Sequence, residues 1–329
     1  MKLTLLDVLR CPECGGGLAL AAGSESSERG GVETGALRCD GCGSSYPIIR
    51  GIPRFVGGGN YTGSFGYQWT KFSTTQLDEN LGIPLSAERF EKETGWPSSL
   101  RGEKVLEAGC GMGRFTRCAA RTGADVFSFD YSEAIDANFR NNGHLANVHF
   151  LQADICKPPF APGTFDKIFC FGVLQHTPDP ERSFRSLVGL TRPGGELVSD
   201  VYRKSWKTLF WGQYYLRVLT RRIPPTKLFP IVEKYFRVVH AATGLLLPLS
   251  SHFSKMVSLL LGTADYRGLY PISAEQMEEW CLLDTFDKLS PQFDQPQTLQ
   301  AVRRWCVDAA VSSYDVRPGY NGIEVRLRR

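Results

Sequence analysis

The chain has 329 residues, 42% hydrophobic and 22% charged, with a formal net charge of +4. That composition is ordinary for a globular protein and leaves room for one large core plus accessory parts. No apolar run approaches the ~20 residues of a membrane span, and no charged-then-apolar leader opens the chain, so a cytoplasmic location is expected. The ten cysteines then point to reduced thiols or metal rather than disulfides. Four of them stand as two C-x-x-C knuckles, Cys11-Pro-Glu-Cys14 and Cys39-Asp-Gly-Cys42. Four thiolates suit a closed tetrahedral zinc site of structural type. A pair of redox-active dithiols is the competing reading. The spacer exceeds the usual zinc-ribbon length, and its polar Gly/Ser middle, AAGSESSERGGVETG, can absorb the excess. The other six cysteines read as small core residues.

The text around the knuckles, LLDVLRCPECGGGL and LRCDGCGSSYPIIRGIPRF, resembles the small zinc-ribbon family of methyltransferase activator subunits. An apolar helix, two knuckles and a YPI-x-x-GIP tail carry the likeness over about residues 2 to 56. It implies a ribbon over 1–56, joined by a linker and helices over 57–100 to whatever follows. In relatives that act as separate subunits the ribbon docks on a catalytic domain; here it looks fused in cis.

Residues 105 to 116 read VLEAGCGMGRFT. A short apolar run ends in an acid, a glycine turn follows, and a helical pattern begins. Glycines let a ligand lie against the backbone, and the helix start offers free N–H groups. The pattern is not the G-x-G-x-x-G of dinucleotide binders, and it lacks the Lys-Ser/Thr of a P-loop. Further βαβ-spaced segments follow: VFSFDYS ending near Asp130, VHFLQADI over 148–155, FDKIFCFGVLQHTPDP over 165–180 and TRPGGELVSDVY over 191–202. In a Rossmann-like sheet an acid about twenty residues beyond the glycines binds ribose hydroxyls; Asp130 stands at that distance.

Taken together, these segments resemble class I S-adenosylmethionine-dependent methyltransferases. The resemblance implies an α/β fold: a Rossmann-like seven-stranded sheet, with the core over 101–202. It assigns S-adenosylmethionine to Glu107, Gly109, Cys110, Gly111, Gly113, Asp130, Tyr131, Asp154, Ile155 and Phe171. Asp154 would meet the adenine amino group and Ile155 would pack on the ring. The intact glycines and acids argue against a non-catalytic scaffold. Open α/β sheets hold ligands beyond the carboxyl ends of their strands, so the loop Phe171 to His176 would face the methyl group. It lacks the Asn-Pro-Pro-aromatic motif of enzymes that methylate exocyclic amines. Oxygen of a small molecule or glycan is the favoured acceptor, with RNA the alternative. His176 is the candidate base; packing of the loop before Pro178 would equally explain it. Cys170, in an apolar strand, reads as buried rather than as a nucleophile.

Residues 203–270 form a helical insertion. Between 203 and 260 stand ten basic residues and one acid, Glu233, a net +9. Large apolar residues crowd the same segment. Such helices suit an anionic membrane surface or a lipid-linked substrate; a lid with a solvated basic face and an RNA-binding groove stay open. Residues 203–260 are expected to form a basic, amphipathic cap over the acceptor pocket. Over 271–329 the sequence predicts a helix from Ser273 with a capping box through Gln276. A polar loop over 284–297 follows, with Asp287, Ser290 and Asp294 as weak pocket candidates. A helix from about Thr298 and two final strands close the chain.

Overall fold

The computed structural model describes residues 1–26, 31–57 and 60–329. Part of the spacer between the knuckles (27–30) and two linker residues (58–59) lie outside the described residues. The chain opens on a 3-10 turn at Leu3–Asp7 where an apolar helix was expected. The run is too short for an α-helix before the first knuckle, and Arg10 N already donates to Pro159 O at 2.9 Å. Strands β1 (Leu18–Leu20), β2 (Glu25–Ser26), β3 (Val32–Cys39), β4 (Ser45–Ile49) and β5 (Ile52–Pro53) pair antiparallel in the order β1-β3-β4-β5, with β2 on β3. Each knuckle closes on a glycine at φ +74°, Gly15 and Gly43, which brings its two sulfurs to the same side.

Helices α1 (Gly63–Lys71), α2 (Asp78–Leu81) and α3 (Leu85–Thr94) lead to the main sheet. The next elements alternate: β6 (Lys104–Ala108), α4 (Arg114–Arg121), β7 (Asp125–Asp130), α5 (Ala134–Asn142), β8 (Val148–Gln152), β9 (Phe165–Cys170), α6 (Pro180–Leu190) and β10 (Thr191–Val201). These five strands are parallel, and burial on both faces fits their largely apolar centres; all five residues of β8 are buried. Helices α7 (Gln213–Thr220), α8 (Pro225–Gly244), α9 (Ser251–Leu260), α10 (Ala274–Leu289) and α11 (Leu299–Asp308) precede the hairpin of β11 (Ser313–Gly319) and β12 (Gly322–Arg328). The seven-stranded order is β11-β12-β10-β9-β6-β7-β8, with β12 antiparallel to both neighbours. This is the Rossmann-like sheet the resemblance implies.

The ribbon is not a bead on a string. Leu5, Leu9, Leu37 and Ile48 belong to the same buried cluster as Phe127, Phe160 and Phe165 of the sheet. Arg54 lies beside Gln152 as a parallel bridge, Phe55 N donates to Gln152 O at 2.8 Å, and Arg54 pairs with Asp136 at 2.8 Å. The ribbon thus covers the open edge of β8.

The capping box at Ser273 and Gln276 forms as read, and Thr298 caps α11 through its side chain. The expected loop over 284–297 does not begin where predicted, because α10 runs on to Leu289. Leu283, Phe286 and Leu289 are buried in the helical cluster, while Asp284, Asp287 and Lys288 line a cavity. An inward polar face blurs the helical period. The insertion's charge is also less free than its composition suggests. Arg217 is buried and pairs with Asp294 at 2.7 Å, and Arg237 pairs with Glu233 and Glu278.

Candidate functional site

The carboxyl ends of the strands open into one cavity of about 540 Å³. The turn after β6 forms its floor. Gly109, Gly111 and Gly113 all have positive φ, which side-chain-bearing residues adopt at a cost. A Cβ on Gly109 would collide with Val173, and one on Gly113 with Asn138. One glycine keeps the turn tight against the loop after β9, the other keeps α4 close to α5.

Asp130 ends β7 and ties this turn down. Its Oδ2 accepts from Gly111 N at 2.9 Å, and its Oδ1 accepts from Ser132 N at 2.8 Å and Ser132 Oγ at 2.6 Å. Burial pushes its carboxyl up. Gly109, Cys110, Gly111, Asp130, Tyr131, Ile155, Phe171 and His176 all line the cavity.

Three expected cofactor residues do not line it. Gly113 is a packing position. Asp154 stands between two lining residues, Ala153 and Ile155, and accepts from Cys156 N at 2.8 Å. Glu107 is buried beneath the turn and accepts from Thr116 Oγ1 and from Ser128 Oγ at 2.8 Å. Asn138 Nδ2 donates onward to both hydroxyls. Glu107 therefore braces α4 against β6 and β7.

Burial raises the Glu107 carboxyl to about 8. The folded state then holds a proton that the unfolded chain has lost above about pH 4.5, so this group's contribution to stability falls as pH rises from about 5 to 8. Each unit of such a shift is worth about 1.4 kcal/mol. We expect Glu107→Gln to flatten the fall in melting temperature across that window. Calorimetry showing identical pH profiles for the two proteins would refute it.

His176 sits in the 3-10 turn Leu174–His176 and is buried between the rings of Phe65 and Tyr202. Its Nδ1 lies 3.0 Å from Phe293 O. A carbonyl can only accept, so Nδ1 carries the hydrogen, and in the neutral ring the lone pair is on Nε2. Cys170 is fully buried in β9 and does not line the cavity; burial raises its thiol well above the ordinary range.

The roof differs from expectation. Among the described residues, none from 203–260 lines the cavity. The roof comes from α1 (Phe65, Gln68, Trp69), from Tyr266 and Tyr270, from α10 (Trp280, Asp284, Asp287, Lys288) and from Tyr320 and Asn321 in the last turn. Residues 203–260 instead back α10 through Leu228, Phe229 and Phe236, while the end of the insertion, Tyr266 and Tyr270, reaches the roof. Asp287 lines the cavity as considered, and accepts from Gln68 Nε2 at 3.2 Å; Asp294 is neutralised by Arg217. Sequence reasoning missed Arg89, Gln76 and Arg114, which also line the cavity. Arg89 is held by Glu93 at 2.6 Å and by Asp200. Burial, with Asp200 next to it, lifts the Glu93 carboxyl to about 7.

Away from this cavity, the sulfurs of Cys11, Cys14, Cys39 and Cys42 all lie within 4.8 Å of one another. Cys11 and Cys42 are 3.7 Å apart, Cys14 and Cys39 3.4 Å. Zinc–sulfur bonds of about 2.3 Å in a tetrahedron place sulfurs about 3.8 Å apart, so the donor set fits such an ion.

A methyltransferase-domain family model matches residues 106–199, and a Trm112p-like protein model matches residues 2–51. Among curated relatives, the ubiquinone biosynthesis O-methyltransferase of Methylococcus capsulatus is 30% identical over 167 residues, 48% of this chain and 68% of that one. The protein of the same description from Coxiella burnetii is 30% identical over 129 residues, 37% of this chain and 55% of that one. The chain thus spans about two thirds of the first relative's length and about half of the second's. A SAM-dependent methyltransferase from Aquifex aeolicus superposes with a TM-score of 0.41 and 14% identity, over 80% of this chain and 96% of its own. A complex between the Haloferax volcanii Trm112 methyltransferase activator and a methyltransferase gives 0.36 and 20%, over 43% of this chain and 61% of the matched one. With the sheet order, the glycine turn and the four-cysteine ribbon in place, the chain belongs to the S-adenosylmethionine-dependent methyltransferases and carries a Trm112p-like segment at its N-terminal end.

Proposed function

We propose that the protein transfers a methyl group to an oxygen of a small-molecule acceptor. The observation that carries this is the cavity itself, which runs without a break from the glycine turn and Asp130 to His176 and an aromatic roof. The O-methyltransferase relatives support oxygen as the acceptor atom. S-adenosylmethionine, when bound, supplies a methyl group on a positively charged sulfur. Asp130 would hold the ribose hydroxyls. Gly109, Cys110 and Gly111 would border the methionine part with backbone groups, and Tyr131, Ile155 and Phe171 would flank the rest, with Asp154 next to Ile155. Most of the rate then comes from positioning. An acceptor hydroxyl must lose its proton as it attacks, and Nε2 of His176 is the nitrogen free to take it.

The test is His176→Asn. General-base catalysis is typically worth about 10²–10⁴-fold. The turnover number should fall by that order against a catechol acceptor, donor affinity should hold, and the rate that remains should rise with pH as the hydroxyl ionises by itself. Unchanged turnover would remove His176 from the chemistry and return it to loop packing.

Zinc on Cys11, Cys14, Cys39 and Cys42 would be structural, because four thiolates leave no open position.

The insertion favours a second element: peripheral contact with an anionic membrane, where a lipid-borne acceptor would be met. Of the large apolar residues exposed among the described residues, fifteen of twenty fall within 203–270, among them Leu209, Phe210, Leu219, Leu245 and Leu249. Arg221, Arg222, Lys227 and Lys234 are exposed in the same segment. Each basic residue near an anionic leaflet is worth about 1 kcal/mol. Vesicles of phosphatidylglycerol should therefore bind the protein at low salt and release it as salt rises, and reversing Arg221 and Arg222 to Glu should weaken this without affecting donor binding. A wild type that ignores such vesicles but binds single-stranded RNA in the same salt-sensitive way would replace the membrane by RNA.

A further inference from the structure

A buried guanidinium stays charged, and an uncompensated charge in a protein interior is costly. Where a cavity keeps one, a ligand is the usual source of the missing countercharge. Arg114 approaches that condition: the residue is half-buried and its Nε is shut off from water. It opens α4 directly after the glycine turn and lines the cavity. Its guanidinium lies 4.5 Å from the centre of the Phe115 ring, and Nη1 donates to Gln76 Oε1 at 2.6 Å. Its Nε is buried and has no hydrogen-bond partner among the described residues, and neither has Trp280 Nε1, a donor from the roof.

The groups that face Arg114 do not neutralise it. Arg89 adds a like charge; Asp284, Tyr320 and Asp78 attract it from beyond ion-pair distance. Asp284 is engaged instead with Gln76 Nε2 at 3.3 Å, and burial lifts its carboxyl to about 6. Asp78 accepts from Ser86 N at 2.7 Å and Ala87 N at 3.0 Å. Arg89, by contrast, already has Glu93 and Asp200. Burial, followed by the repulsion from Arg89, pulls Arg114 down to about 10.

We propose that Arg114 is an anion seat in the acceptor half of the cavity, and that the natural acceptor is an aromatic hydroxy acid whose carboxylate pairs with it. This deepens the methyl-transfer reading and rests on it. The neighbours Asp284 and Tyr320 come from the roof and the last turn, not from the strand ends that carry the cofactor candidates, and this places the charge on the acceptor side. A singly charged, planar carboxylate fits one guanidinium fork and is repelled less than a phosphate dianion by Asp284 and Asp287, which line the same cavity. The aromatic part is matched by Tyr270, stacked on Trp280 at 5.1 Å, and by Tyr320, whose hydroxyl lies 3.1 Å from that of Tyr270.

The same carboxylate chemistry is present in the methionine part of the donor, so the experiment separates the two sources. Calorimetry on protein saturated with S-adenosylhomocysteine compares 3,4-dihydroxybenzoate with catechol, its congener without the acid. The acid should bind about ten-fold more tightly or better, as charge-assisted pairing requires. Arg114→Gln should erase the preference, Arg114→Lys should keep part of it, and S-adenosylhomocysteine affinity should stay within about two-fold. Ligand-free Arg114→Gln should melt at the same temperature as the wild type or higher, because it loses an uncompensated charge; if it does not fold, the Lys variant carries the comparison. A wild type that binds catechol as well as the acid, or neither at millimolar concentration, overturns the proposal. So does a variant that keeps the preference while S-adenosylhomocysteine binding drops ten-fold, which would give the guanidinium to the donor. Methyl transfer to catechol by the wild type tests the transfer reading separately.

Discussion

Replacing Cys39 by Ser should take the zinc content from one ion per chain to none and lower the stability of the whole protein, not of the ribbon alone. The four sulfurs lie within 4.8 Å of one another, and Cys11 and Cys39 are buried. Three thiols without the ion would leave the knuckles unclosed. Structural zinc in isolated finger peptides is worth about 10–16 kcal/mol, as much as the net stability of a typical domain, about 5–15 kcal/mol. Only part of that would be lost here, since the ribbon also rests on the sheet through Leu5, Leu9 and Ile48. Those contacts make the loss shared: opening the ribbon exposes Phe127, Phe160 and Phe165 to water. Metal analysis of protein purified without added zinc, with scanning calorimetry of the variant, checks this. Full metal content and an unchanged transition in the variant would dispose of the site.

Asp130→Ala should weaken S-adenosylhomocysteine binding by about 10–100-fold, the equivalent of about 1.5–3 kcal/mol for a hydrogen bond to a charged group. Two losses add. The carboxylate no longer meets the ribose, and Gly111 N and Ser132 N lose the acceptor that fixes the turn. Asp130→Asn separates them, because the amide oxygen can still accept from one of these N–H groups. If titration calorimetry gives the Ala variant wild-type affinity, the cofactor is bound elsewhere.

Features carried by neighbours in sequence were legible. The glycine turn, the acid at the end of β7, the Ser273 capping box and the Thr298 cap each depend on a few adjacent residues, and each forms. The aromatic roof and the cavity arginines were not, because no local pattern distinguishes them. Arg89 and Gln76 come from the helical region ahead of the sheet, and Tyr266, Trp280 and Tyr320 from far beyond its parallel strands; only the folded sheet brings them together. Glu107 shows the reverse: its motif position was legible, its contacts were not. Its place in the motif marks a conformation, while its side chain points to Thr116 and Ser128. Arg217 counted as part of a basic face until Asp294, 77 residues away, accounted for its charge.

The ribbon's seat on β8 has a kinetic side. Phe55 hydrogen-bonds to Gln152 of the edge strand, and α1 begins only eight residues later, at Gly63. A segment so tethered experiences its docking site at an effective concentration in the millimolar range. Dilution leaves that figure unchanged. The assembled state of ribbon and sheet should therefore be independent of how much protein is present, and the rate per molecule should stay constant down to nanomolar enzyme.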